Sequence, residues 1–322
     1  MVETNVHFPS DISLLLDCMR KSLQLTWRIS DWHNIAGLRQ SNYHLRQYKS
    51  LVRKIQKLKL SNSKDRDEKL KTLHQEYITA AESMLSKVNE IYKLVCETES
   101  ESGLESKYRA DIPYFITEAY HHIDLIRRRV LLGETIPHSE KIFSVFEPYT
   151  RWISKGKAGV PVELGLPVTV LKDHFGLIID YEIMEHTSDV DVVLPLLKRA
   201  IEEYKNIRSC SFDKGFWSKD IISELRQQIQ VVIRRKGNPT AEDKKQLENK
   251  EYVKLLNHHS AVESTINGLE HSGLDKCPDK GIKGFKRYVG LAILSRNLQL
   301  IGKKLREDEI KRQTDKRYKQ AS

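Results

Sequence analysis

Val162–Glu185 reads VELGLPVTVLKDHFGLIIDYEIME, and whether it forms helix or strand decides what the second half of the chain builds. β-Branched and aliphatic residues dominate it, which suits a pleated, half-buried surface better than a helix. Lys172–Gly176, KDHFG, interrupts the apolar runs with turn-forming Asp and Gly. The pattern predicts two strands of a hairpin or meander.

Toward the C-terminus the pattern alternates. DVDVVLPLLKRAIEEYKNI predicts a helix, SCSFDKGF a short strand, SKDIISELRQQ a helix and IQVVIRRKG a strand. NKEYVKLLNHHSAVESTINGLEHSGLD and KGFKRYVGLAILSRNLQLIGKKL then predict long helices, and the stripe YVGLAILSRNLQLIG reads as core. Such alternation argues for an α/β sheet covered by helices. Strands at about 162–184, 209–213 and 229–234 are expected to join one sheet. No repeat with a period of 20–50 residues is visible.

Toward the N-terminus the period becomes helical from Asp11 to about Leu132, with no long strand expected. SDISLLLDCMRKSLQL opens on a Ser/Asp cap. Leu45, Tyr48, Val52, Ile55 and Leu58 recur three and four apart, an amphipathic face. After a break at SNSKDRDEKLK the period resumes, so the two helices can fold back as a hairpin. TESESGLESKYRADIP reads as a polar loop, and YFITEAYHHIDLIRRRVLLG as a helix ending at Gly133.

The chain has 322 residues, 39% hydrophobic and 30% charged, enough for one large domain or two ordinary ones. No apolar run approaches the roughly 18 residues that cross a bilayer. The N-terminus lacks the basic start and apolar middle of a signal peptide, so a cytoplasmic protein without membrane contact is expected. Cys18, Cys96, Cys210 and Cys277 show neither CxxC nor zinc-ligand spacing and read as reduced, packed thiols. The net charge of +10 suits a polyanionic partner. Much of it lies at the ends: residues 1–60 hold ten Lys/Arg against four acids, and 302–322 eight against four.

Two acids stand out. Asp213, in SCSFDKGFWS, ends a short strand and is followed at once by Lys214-Gly215. It is either an acidic turn residue or a ligand at the lip of a sheet, where open α/β sheets bind their ligands. Glu263 shares a helix face with His259 and Asn267 and borders the apolar stripe of Val262, Ile266 and Leu269, so it is either a surface glutamate or a site residue. Together they suit a hard, oxygen-loving cation such as Mg2+. Lys155 and Lys157 in WISKGKAG, with Arg235 and Lys236 in IRRKG, put cations in glycine-containing turns suited to phosphate or to solvent. Trp217 and Phe216 are expected to pack under the Asp213 turn rather than stack on a base. His121-His122 and His258-His259 are neighbours on helices and point apart, which argues against chelation by either pair.

The strings VETNVHFPSDISLLLDCMRK, HSEKIFSVFEPYTRWISKGKAGVPVELG, SFDKGFWS and HHSAVESTINGLEHSGLDKCPDKGIKGFKRYVGLAILSRNLQLIG resemble bacterial insertion-sequence transposases of the DDE type, those of the ISNCY group above all, from Val2 to about Leu305. The resemblance implies a ribonuclease H-like mixed sheet flanked by helices, with a large helical insertion. Residues 1–10 then correspond to a remnant of the first core strand region, 11–135 to the insertion, 136–305 to the catalytic core and 306–322 to a basic tail. It implies three acids that bind two Mg2+ ions (Mn2+ being a possible substitute), cleavage of transposon-end DNA by water, and joining of the freed 3′-OH to target DNA. Double-stranded DNA is the implied partner, and the intact enzyme a homo-oligomer.

Asp213 matches the second acid and Glu263 the third. The first lies ahead of the VET string, before residue 1, as does the family's N-terminal DNA-binding region. Asp11 is expected to cap a helix instead, and Glu3 does not easily substitute. The chain is therefore expected to be a transposase fragment impaired in cleavage, or a DNA-binding or assembly remnant that interferes with an intact enzyme.

Overall fold

The computed structural model describes residues 1–100, 102–154, 161–235, 237–259 and 261–321, and leaves aside the side chains of Glu242, His258, Ala261, Glu263 and residues 316–321. The chain divides into two units, one of residues 6–148 and one of residues 1–5 with 149–322.

The first unit is helical: α1 (Asp11–Trp32), α2 (Ser41–Lys59), α3 (Arg66–Cys96) and α4 (Gly103–Ile126). The cap of α1 is Ser10, not Asp11. Its hydroxyl accepts the Ser13 N–H while the Ser13 hydroxyl accepts the Ser10 N–H, a reciprocal capping box. Asp11 sits one residue inside and pairs with Arg129 at 2.6 Å. α1 buries Leu15, Cys18, Met19, Leu23 and Ile29 completely, as a helix enclosed by others must. α2 buries Leu45, Tyr48, Val52 and Ile55, the face expected from their spacing. It folds back on α3, where the Tyr48 hydroxyl donates to the Ala80 carbonyl at 3.3 Å.

The polar stretch before Pro113 is helix rather than loop from Gly103 onward. Ser102 caps it by accepting the Glu105 N–H, and Arg109, one turn on, pairs with the buried Glu105. Pro113 lacks the N–H that would bond the Arg109 carbonyl. The Tyr92 hydroxyl of α3 donates to that carbonyl instead, at 3.0 Å. A tertiary contact thus supplies the hydrogen bond whose loss makes proline read as a helix end. α4 finishes in a π turn over Arg127–Leu131, and Gly133 follows with a φ of +73°, the left-handed conformation expected of a terminating glycine.

The second unit comprises β1 (Val2–Thr4), β2 (Arg151–Ser154), β3 (Val162–Leu166), β4 (Val168–Lys172), β5 (Ile178–Ile183), α5 (Asp189–Glu203), β6 (Ser209–Phe212), α6 (Lys219–Leu225), β7 (Gln230–Ile233), α7 (Ala241–Glu248), α8 (Lys250–His259), α9 (Ala261–Leu269), β8 (Lys276–Cys277) and α10 (Gly281–Ala321). It is mixed α/β, and among the described residues its strands form three sheets, not the single sheet expected. One has the order β2-β3-β1-β8, with β1 antiparallel to β3 and parallel to β8. β4 and β5 form an antiparallel hairpin through the 173–177 turn, and β6 and β7 pair in parallel. Pro167 is the physical break between the first two: it offers no N–H to a ladder, so β3 stops before it and β4 starts after it. β6 and β7 are linked by α6, a crossover that a parallel pair requires.

Gly165 is where β3 touches β1. A Cβ built there would lie 2.0 Å from the Val2 carbonyl oxygen, so only glycine fits. Val2, Leu166, Ile178, Phe285, Val289 and Ile293 share one buried cluster. Val193, Leu197, Ile222, Leu225, Val231 and Ile233 form another around β6 and β7.

In α10, Phe285, Val289 and Ile293 recur every four residues and face the core. Asn297 continues that row, accepting the Ile178 N–H at 2.9 Å and donating to the Ile178 carbonyl at 2.8 Å. The same helix departs from expectation on its other side. Leu291, Leu294, Leu298, Ile301 and Leu305 are 58%, 54%, 59%, 43% and 65% exposed. Core and stripe interleave in sequence but fall on opposite faces of the helix.

Candidate functional site

β6 and β7 run parallel with Phe212 opposite Ile233, so Asp213 and Arg234 leave the pair at the same, carboxyl-terminal end. Ligands of open α/β sheets collect at that end. Asp213 is exposed and heads a single 3-10 turn over Lys214–Phe216. Its Oδ1 accepts the Lys214 N–H at 2.7 Å, which ties one carboxylate oxygen to the backbone. Gly215, next but one in the turn, lies between two carboxylates. A Cβ placed there would lie 3.8 Å from Asp213 Oδ2 and 3.6 Å from Asp189 Oδ2.

Asp189 was not expected in this neighbourhood. Its sequence context, a serine followed by acids, reads as an ordinary helix start, and it does occupy the first turn of α5. The positive end of the helix dipole favours a carboxylate there. Only the fold brings that turn beside Gly215.

Two contacts seat α8 on the same strands. The Tyr252 hydroxyl donates to the Ile233 carbonyl at 3.0 Å in a buried setting, and His259 Nδ1 lies 3.3 Å from Ser211 Oγ. Ser211 and Asp213 are two apart, on the same side of the strand direction. Glu263 follows His259 by four residues, on α9, and its side chain lies outside the described residues. Lys155, Lys157 and Lys236 also lie outside them. Arg235 is described: its guanidinium sits 5.3 Å from the Trp217 ring centre, a cation–π arrangement. Trp217 and Phe216 pack against the cluster beneath the turn, as expected.

Other groups resolve simply. All four cysteines are free thiols, and burial pushes that of Cys210 up to about 12. His121 and His122 diverge. His121 Nε2 meets the Glu140 carbonyl at 2.9 Å, while His122 is fully buried in the helical unit and neither ring nitrogen has a hydrogen-bond partner. Among the described residues no helix is long and apolar enough to cross a membrane. Nor do three His, Cys, Asp or Glu side chains among them cluster as a metal site.

Residues 137–298, half of the chain, match the family model of the transposase DDE domain. The chain belongs to the transposase DDE domain family. The match begins ahead of β2 and ends within α10, so it encloses both Asp213 and Glu263. No curated protein and no solved structure matches the chain. DDE transposases act on DNA and generally use divalent metal ions. The donor chemistry at the end of β6 fits such an ion: Asp213 is an exposed carboxylate with one oxygen fixed by the backbone, a hard ligand of the kind Mg2+ prefers.

Proposed function

We propose that the chain carries the second and third metal-holding acids, Asp213 and Glu263, of a ribonuclease H-like core from a bacterial insertion-sequence transposase of the ISNCY group. The observation that carries this reading is the placement of Asp213. Within the span matched by the DDE family, it stands at the carboxyl end of a parallel strand pair, and α8, the helix just ahead of Glu263, is seated on those strands. Residues 11–135 are then the helical insertion, 136–305 the core and 306–322 a basic tail. The substrates are the transposon ends and target DNA.

In this reading Asp213 and Glu263 would hold Mg2+, or Mn2+ in its place. When bound, such ions supply charge stabilisation at the attacking and leaving oxygens of an in-line phosphodiester displacement. The chain's own residues position that chemistry. The Lys214 N–H fixes the rotation of the Asp213 carboxylate, so the remaining oxygen need not be ordered when a ligand arrives. Asp189, beside the same turn, adds negative potential that favours a cation. Arg235, braced by Trp217 at the same end of the pair, meets a phosphate of the DNA backbone. Lys155, Lys157 and Lys236 are proposed for the same task.

The test reads metal and DNA separately. Titrating the full chain with Mn2+, followed by electron paramagnetic resonance, should show a site that Asp213→Asn or Glu263→Gln weakens at least tenfold. Binding to duplex DNA should persist in both variants. Arg235→Ala should lower DNA affinity evenly across sequences and reduce the salt dependence by about one phosphate contact. Mn2+ binding unaffected by both acid substitutions would remove the site. DNA binding with no Mn2+ site would instead favour the non-catalytic remnant.

A further inference from the structure

The exposed stripe on α10 is narrow and regularly spaced. Leu291, Leu294, Leu298, Ile301 and Leu305 are separated by three, four, three and four residues. That is the 3.5-residue repeat of a coiled-coil seam, with leucines at the a positions and Leu294 and Ile301 at the d positions. A helix lying on a globular core shows a broader apolar face. This helix already has one, in Phe285, Val289 and Ile293, and the stripe lies opposite it.

Beyond Leu300 the helix has no packed face at all: from Ile301 to Asp315 every residue is exposed except the half-buried Asp308. A solitary helix of this length is marginal in water, and packing of an apolar stripe is what ordinarily holds one.

We propose that α10 pairs with α10 of a second copy of this chain, in a parallel, in-register, two-stranded coiled coil along Leu291–Leu305. The charges flanking the seam select this partner and this direction. In that register Lys304, at a g position, faces Glu309 of the other copy, at the following e position, and the pair occurs twice by symmetry. Glu309 also accepts from Gln313 on its own helix at 3.3 Å, which leaves its second oxygen for Lys304. Asn297 at the preceding g position is turned to Ile178 and Gly302 fills the next e position, so neither brings a like charge to the seam, and Asp308 at the following d position ends the apolar seam at Leu305. The proposal gives the expected homo-oligomer an interface and does not depend on the roles of Asp213 and Glu263.

Sedimentation velocity on the full chain, across a hundredfold range of concentration, tests it without DNA or metal. The parent should be a dimer in the upper part of the range, and Leu298→Glu a monomer that keeps its melting temperature and loses helical circular dichroism signal only from the unsupported end of α10. Lys304→Glu and Glu309→Lys should each weaken the dimer about tenfold, and the double exchange should restore it. In a Cys96→Ser background, which removes the exposed thiol, Leu291→Cys should give a disulfide-linked dimer on mild oxidation. That position lies at one end of the seam, so an antiparallel pair cannot form the link. A chain that stays monomeric throughout would overturn the proposal. So would a dimer that survives Leu298→Glu, or a monomer whose thermal stability falls with that change, the signature of a stripe covered by the chain itself.

Discussion

His122 should make the helical unit acid-sensitive. It is fully buried on α4, neither ring nitrogen has a hydrogen-bond partner, and His121 lies beside it with ring centres 5.6 Å apart. Burial, reinforced by the neighbouring His121, lowers its pKa from 6.5 to about 3. In the unfolded chain the ring takes up a proton near pH 6.5, whereas in the fold it stays neutral. The unfolded state therefore binds more protons below that pH, and stability is lost as pH falls from 6.5 toward 3.

Between pH 7.5 and pH 5 the loss from this residue alone is about 2 kcal/mol, with a ceiling near 5 kcal/mol below pH 3. Glu118, one turn earlier, works in the opposite sense. Burial raises its pKa, so its contribution falls as pH rises. The difference between parent and variant cancels that term.

His122→Leu keeps a similar volume and removes two unpaired ring nitrogens. It should stabilise the unit by about 1–2 kcal/mol at pH 7.5 and by about 3–4 kcal/mol at pH 5. Urea unfolding followed by the helical circular dichroism signal at both pH values measures the two gains. Equal gains at the two pH values would refute the account, because they would mean that the buried ring is as easily protonated as a free one.

Two other substitutions probe the strand unit. Gly165→Ala should cost about 3 kcal/mol or more, since its Cβ would sit 2.0 Å from a backbone carbonyl that no rotamer change can move. It should also abolish exchange protection of the Glu3 N–H, which bonds the Asp275 carbonyl at 2.8 Å. Gly103→Ala, with nothing within 4 Å, is the neutral control; equal melting temperatures for the two variants would refute the clash. Asn297→Ala strips the N–H and carbonyl of Ile178, itself only 5% exposed, of their side-chain partner, and should cost about 2–4 kcal/mol in urea unfolding. Asn297→Asp keeps the acceptor but sets a carboxylate oxygen against the Ile178 carbonyl, so it should cost at least as much at pH 7, and a clearly milder effect would show that the donated bond is not what matters.

Local features of the chain were the legible ones. The α2 stripe, the α2–α3 hairpin, the ending at Gly133, and the strands at β4–β5, β6 and β7 follow from periodicity and turn residues. What escaped depends on partners distant in sequence. Pro113 announces a helix end unless Tyr92 stands ready to bond the Arg109 carbonyl. Pro167 marks a break, but a run of apolar residues on both sides of it conceals that the two halves join different sheets. The α10 leucines have core composition, and only the position of Phe285, Val289 and Ile293 shows which face is taken. At the candidate site, Asp213 was legible from its place between a strand and a Lys-Gly turn. The approach of Asp189 was not, because it depends on how α5 meets that turn.

β1 has a consequence for how the chain folds. It is three residues long, and its side-chain contact through Thr4 reaches Thr150, 146 positions away. Its strand partners in β3 and β8 lie further still. Closing a loop of that length from a disordered chain costs about 4 kcal/mol in the length-dependent part alone, more than so short a strand returns. Once α1–α4 have folded, most of the loop is already condensed and the cost is largely met. β1 should therefore be among the last strands to dock and the first to detach. Acid that loosens the helices around His122 would then release β1 as well, linking the two units through the connectivity of the chain.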